Sequence, residues 1–178
     1  MINKNLNNYL GQLNVFLNNL DHKLLNESFQ TIKSLKKSKK IIIVGNGGSS
    51  SIASHVCVDF VKSCKIRAVN FNEYNLITCF ANDFKYENWV NEALKIYMDQ
   101  GDLVILISSS GSSPNIVKAA KYVVSKKNKL ITFSGFKKNN KLSLFGDVNI
   151  WVNSTNYNVI ETAHYIYLLS IIENFRVK

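Results

Sequence analysis

Apolar residues recur along the first forty positions at helical spacing: Leu6, Leu10, Leu13, Phe16, Leu17 and Leu20, then Leu24, Leu25, Phe29, Ile32 and Leu35. Steps of three and four put such side chains on one helix face, so the pattern predicts two amphipathic helices. Polar residues from Asn18 to His22 separate them. At Ile41 the pattern changes to a short continuous apolar run, Ile41 to Val44, flanked by lysines and followed by glycines and serines. That is the mark of a strand buried on both faces that feeds a loop of small residues. Further segments then alternate. Helices are predicted over Ser50 to Ser63, Glu73 to Phe80, Tyr86 to Tyr97, Pro114 to Lys126 and Asn158 to Phe175. Strands are predicted over Arg67 to Phe71, Asp102 to Ser108, Lys129 to Ser134 and Asp147 to Val152. Strand and helix in this order imply an α/β fold with three layers, αβα: a mostly parallel sheet covered on both faces.

A chain of 178 residues with 46% hydrophobic content suits a single domain spanning residues 1–178. Residues 1–38 form a helical segment expected to pack on that domain or on a neighbouring subunit. No repeat or Pro/Gly-rich linker interrupts the chain, and its one proline is Pro114. The apolar runs are strand-length and the N-terminus is polar, so neither a membrane span nor a secretory signal is expected. Three cysteines, Cys57, Cys64 and Cys79, form no CxxC pair, which points to a reducing cytoplasm. The formal charge of +10 raises the question of nucleic acid. Only Arg67 and Arg176 are arginines, however, and base reading favours arginine. The scattered lysines read as a solvated surface, and nucleic acid is not an expected partner.

Candidate chemistry lies in two loops. Gly45, Gly47 and Gly48 allow a sharp turn and close approach of backbone to a ligand, and Ser49 to Ser51 open the next helix. The second loop runs from Ser108 to Ser113, with Pro114 at the first position of its helix. Free N–H groups and the partial positive charge of a helix start stabilise an anion, and hydroxyls add neutral donors. Serine and glycine are also ordinary turn residues, so one such loop would carry little weight. Two, each after a buried strand, point to a phosphate site at the carboxyl ends of a parallel sheet. The glycines match neither GxGxxG nor GxxxxGK[ST], so no nucleotide cofactor is expected.

Four segments, GNGGSSSIASH, ANDFKYE, ISSSGSSPN and NVIETAH, together resemble the SIS (sugar isomerase) domain family, most closely its phosphoheptose isomerase branch. The resemblance implies a flavodoxin-like five-stranded parallel sheet and a homotetramer with sites built by adjacent subunits. It also implies a phosphorylated sugar as ligand, held by Ser49, Ser108, Ser110 and Ser113, with Asn46 and Gly47 lining the first loop and Asp83 near the sugar hydroxyls. The activity implied is interconversion of sedoheptulose 7-phosphate and glycero-manno-heptose 7-phosphate, an aldose–ketose isomerisation through an enediol.

The family's metal and catalytic positions fall on His55, Asp59, Glu161 and Leu169, and only His55 is the family residue. The resemblance therefore implies a divalent metal, zinc first, on His55, Asp59 and Glu161, with Asp59 as base and Glu161 in catalysis; His164, three residues after Glu161, is a compensating catalytic candidate, although the histidine it matches in the family has a structural or supporting role. Asp in place of Glu withdraws the base by about 1.5 Å, and Leu169 neither ligates nor carries a proton. Tyr165 is a further compensating group at i+4 from Glu161. Two functions stay open: an isomerase of this type, or a catalytically silent phosphosugar-binding or regulatory SIS protein. An isomerase of altered specificity would use Glu73, Tyr74 and Tyr157 as changed contacts.

Overall fold

The computed structural model describes residues 2–176. Two helices open the chain, α1 (Ile2–Asn18) and α2 (His22–Lys33), and Asp21 caps the second by accepting the N–H groups of Lys23 and Leu24 at 3.0 Å. There follow β1 (Ile41–Gly45), α3 (Gly48–Lys62), β2 (Ala68–Asn70), α4 (Tyr74–Phe84) and α5 (Trp89–Tyr97). Then come β3 (Leu103–Ser108), α6 (Pro114–Ser125), β4 (Lys129–Ser134), a 3₁₀ turn at Leu142–Leu144, β5 (Val148–Trp151) and α7 (Tyr157–Phe175).

All four strand pairings are parallel and the order is β2-β1-β3-β4-β5, the doubly wound arrangement whose switch point lies between β1 and β3. The five-stranded αβα fold implied by the resemblance is present. Alternation along each strand loads the two faces separately. Ile41, Ile43, Ile105, Ile107, Ile131 and Phe133 pack toward α3 and α7, with Phe60, Leu168 and Ile172. Ile42, Val44, Val104, Leu106 and Leu130 pack on the other face, with Trp89, Leu94, Ile116 and Val123. Both α1 and α2 rest on α7, and α2 also reaches β5.

Boundaries differ from the pattern where backbone conformation intervenes. The helix expected from Tyr86 starts at Trp89, because Lys85 takes the left-handed region (φ 69°) and a turn, Asn88 N–H to Lys85 O at 3.0 Å, separates α4 from α5. The helix expected from Ser50 starts at Gly48, since Gly47 (φ 54°) already makes the turn. Three-residue periodicity carries no hydrophobic signal, and the 3₁₀ turn was not expected.

At the opposite end of the strands from the serine loops, the side chain of Asp102 is fully buried. It accepts the N–H groups of Lys40 (3.0 Å) and Asp99 (2.8 Å) and pairs with the Lys40 ammonium at 2.6 Å. Removing one partner of a buried pair strands the other. Asp102→Ala is therefore expected to cost about 3 kcal/mol of folding free energy, measured by chemical denaturation, with the midpoint rather than the slope changing.

Candidate functional site

The first loop leaves β1 through Asn46 and Gly47 and enters α3 with no side-chain cap, so the N–H groups opening that helix carry no side-chain partner. The second leaves β3 at Ser108 and turns at Gly111 (φ 62°), whose N–H bonds Ser108 O at 2.8 Å. Asn140 lies beneath this turn: a Cβ on Gly111 would stand 2.1 Å from its Oδ1. Asn140 is buried, donates to Ser134 Oγ and Lys137 O at 2.9 Å, and accepts from the N–H groups of Leu142 and Ser143 at 3.1 Å. Side chain and backbone thus brace the loop from below.

Because β1 and β3 are neighbours, the loops meet. Asn46 and Asn115 exchange reciprocal amide bonds at 2.9 Å, and Asn115 is buried. The hydroxyls of Ser49 and Ser109 lie 3.4 Å apart. Ser108 donates to Ser113 Oγ at 3.0 Å, and Ser110 Oγ accepts the Ser112 N–H at 3.2 Å. Of the residues expected to hold phosphate, Asn46, Gly47, Ser49, Ser108, Ser110 and Ser113 are therefore in one place.

Glu161 joins them from α7. Ser109 Oγ donates to its Oε1 at 3.4 Å, and a Cβ on Gly48 would lie 2.1 Å from Oε2, so Gly48 makes room for the carboxylate. Lower on the same helices, the Tyr165 hydroxyl bonds His55 Nδ1, and His55 Nε2 faces Asp59 Oδ2 at 3.4 Å. Burial, and after it the nearby Asp59 charge, push the Tyr165 phenol up. A protonated phenol donating to Nδ1 leaves the neutral ring its Nε2–H for Asp59.

One expectation needs correction. His164 is not a reacting group: it is fully buried, its Nε2 contacts Ser134 O at 3.1 Å, and it packs edge-on against Phe133. Burial pushes it down to about 4, so it is a neutral core side chain. Asp83, expected near the sugar hydroxyls, is exposed on α4, where its partners are Asn82 Nδ2 at 2.9 Å and Cys79 Sγ at 3.7 Å.

Glu73 caps α4 by accepting the Leu76 N–H at 3.0 Å, Tyr74 is exposed, and Tyr157 rests against Phe136. Leu169 packs against the apolar core of α3 and the sheet. The donor trio expected for a metal is divided between two places: His55 and Asp59 face each other, while Glu161 faces the serine loops. Among the described residues no three His, Cys, Asp or Glu side chains stand together as a ligand group. No step below is routed through a metal ion.

Ser109, Asn115 and Asn140 were missed by sequence reasoning. Ser109 sits inside the serine run and was open to recognition; the Asn46–Asn115 bond spans 69 positions and has no local signal.

The SIS domain signature matches residues 8–135. This chain belongs to the SIS domain family. Among its relatives, the phosphoheptose isomerase of Colwellia psychrerythraea is 32% identical over 150 residues, covering 80% of this chain and 76% of the relative. That of Thermodesulfovibrio yellowstonii is 36% identical over 138 residues, 74% and 68% of the two chains. The solved structure of a phosphoheptose isomerase from Francisella tularensis superposes over 100% of both chains with a TM-score of 0.90 at 19% identity, which shows the shared fold. Its relatives place this SIS chain in the phosphoheptose isomerase branch.

The buried His164 has a consequence for stability. Its folded value lies below the unfolded one near 6.5, so the unfolded chain binds the extra proton between those values and stability falls as pH drops from about 6.5 to about 4. The shift corresponds to roughly 3 kcal/mol. His164→Gln is expected to flatten that part of the stability–pH curve, read by denaturation at stepped pH; parallel curves for the two proteins would contradict it.

Proposed function

We propose that this SIS protein is a sugar-phosphate aldose–ketose isomerase of the phosphoheptose type, acting on sedoheptulose 7-phosphate or a related phosphosugar. The observation that carries it is the clasped pair of serine loops. Hydroxyls and helix-opening N–H groups converge there with no lysine or arginine among the loop residues, a neutral cradle for a phosphate dianion. The phosphate anchors one end of the sugar, and the isomerisation takes place at the other end of the chain. A base completes the chemistry.

A second reading is favoured by one residue. Leu169 stands where the resemblance implies a histidine, and it is partly buried against the core. In that case the chain binds a phosphosugar without converting it.

The assembly we propose is a homotetramer whose subunits cover α1. Leu6, Leu10 and Leu17 are each about half exposed, with side chains repeating at helical spacing and too much apolar surface for an unpartnered helix. Its cysteines are all free, in keeping with a reducing cytoplasm, and no helix among the described residues is long and apolar enough to cross a membrane.

NMR with sedoheptulose 7-phosphate distinguishes the two readings: the isomerase reading expects aldose signals to grow, the other only saturable binding. Gly111→Ala strains a left-handed turn and drives a methyl into Asn140. It is expected to weaken phosphosugar binding by at least ~10-fold, about 1.4 kcal/mol, in either reading. Asparagine at positions 6, 10 and 17 is expected to lower the mass seen by light scattering from four chains toward one; an unchanged mass would remove α1 from the assembly.

A further inference from the structure

Lysines that are scattered along the sequence are gathered in space by the sheet. Strands β1 to β4 begin level with one another, Ile41 beside Ala68 and Leu103, and Leu103 beside Lys129. All four are parallel, so the loops leading into them meet at one end of the domain, opposite the serine loops. The loop into β1 carries Lys36, Lys37, Lys39 and Lys40, the loop into β2 carries Lys65 and Arg67, and the turn into β4 carries Lys126 and Lys127. Hydrogen bonds tie these segments together: Arg67 Nη1 donates to Ser38 O at 2.5 Å, the Leu103 N–H to Lys40 O at 3.1 Å, and Asn128 Nδ2 to Asp99 O at 2.7 Å. Neighbouring strands lie about 4.8 Å apart, so the row spans roughly 15 Å, a distance over which charges still add at a Debye length of about 8 Å.

The carboxylates at this end are already engaged. Asp99 and Asp102 pair with Lys40, and Asp147 pairs with Lys129. A cation at a helix end offsets the last carbonyls, and Lys65 does this for α3 by donating to Lys62 O at 2.9 Å. Lys36 and Lys37, however, lie beyond the last turn of α2, which ends at Lys33. Lys36, Lys37, Arg67, Lys126 and Lys127 are exposed and form no salt bridge among the described residues. Much of the formal net charge of +10 therefore stands unneutralised at one end of the molecule. The serine loops at the other end hold no lysine or arginine, so this charge does not serve the cradle. Its cations are point charges with a single arginine, and the loops at 34–40, 63–67 and 126–128 hold no aromatic side chain to stack on bases. Leu35 and Ile66 pack against the core, so the face offers no apolar group for insertion.

We propose that this level, lysine-rich end is a docking face for an anionic lipid bilayer, on which the protein rests reversibly with its cradle turned toward solution. A planar sheet of headgroup phosphates meets all the loops at once, and the attraction is electrostatic and peripheral.

The test is cosedimentation of the full chain with phosphatidylcholine vesicles, with and without phosphatidylglycerol, at about 0.1 M and about 1 M salt. Binding is expected only with phosphatidylglycerol and only at the lower salt. Each lysine near such a surface is worth about fivefold in binding, so Lys36→Gln, Lys37→Gln and Lys126→Gln combined are expected to weaken it ~100-fold. Lys137→Gln, Lys138→Gln and Lys141→Gln remove the same charge at the cradle end and are expected to leave binding within about threefold; melting curves check that both variants fold. Equal losses in the two triple variants overturn the proposal, since net charge alone then accounts for binding. No binding to phosphatidylglycerol vesicles also overturns it, and so does binding that survives the higher salt. Retention of a DNA duplex under conditions where anionic vesicles are not bound assigns the face to nucleic acid and overturns the bilayer.

Discussion

The parallel pairing of β1 with β3, Ile41 beside Leu103 through Gly45 beside Ile107, is the constraint on which the rest of this structure depends. These strands end level with each other, and each delivers its loop at the same height. The register is held by burial: consecutive side chains of both strands are inside, alternately on two faces, each loaded with its own helices. A slip of one residue would exchange the two sets and misfit both layers. The Asn46–Asn115 and Ser49–Ser109 contacts thus inherit their precision from isoleucines and valines that never touch a ligand.

Three buried polar side chains around the strand ends are tied down by partners. Asn140 makes four bonds, Asn115 is answered by Asn46, and Asp102 holds two backbone N–H groups and a lysine at the far end of the same strands. Buried polar groups that are fully partnered make a rigid site, with little reorganisation left for the moment of binding. Glycine serves the same end by absence of bulk: Gly48 admits the Glu161 carboxylate, and Gly111 admits the Asn140 amide.

The closing helix α7 divides its work between two surfaces. Glu161 and Tyr165 face α3 and the loops; His164, Tyr167 and Leu168 face the sheet. Two histidines therefore have opposite fates. His55, exposed on α3, keeps a polar partner at each ring nitrogen, while His164 is buried beside Phe133 and is neutral. Which of them can act is a matter of dielectric surroundings, since both belong to recognisable motifs.

By itself the sequence determined the α/β class, the order of elements, the two serine loops and the family, because hydrophobic periodicity and glycine–serine turns are local signals. Within those loops, the family resemblance singled out Ser49, Ser108, Ser110 and Ser113 as phosphate contacts. Only the tertiary structure decided that Ser109, Asn115 and Asn140 brace the cradle, that His164 belongs to the core, and that Glu161 leaves His55 and Asp59 to face the loops. Those outcomes depend on which strands are neighbours and which helix face turns inward. Contacts between residues tens of positions apart carry no periodic mark, and burial, which sets whether a histidine is charged, exists only once the layers have packed.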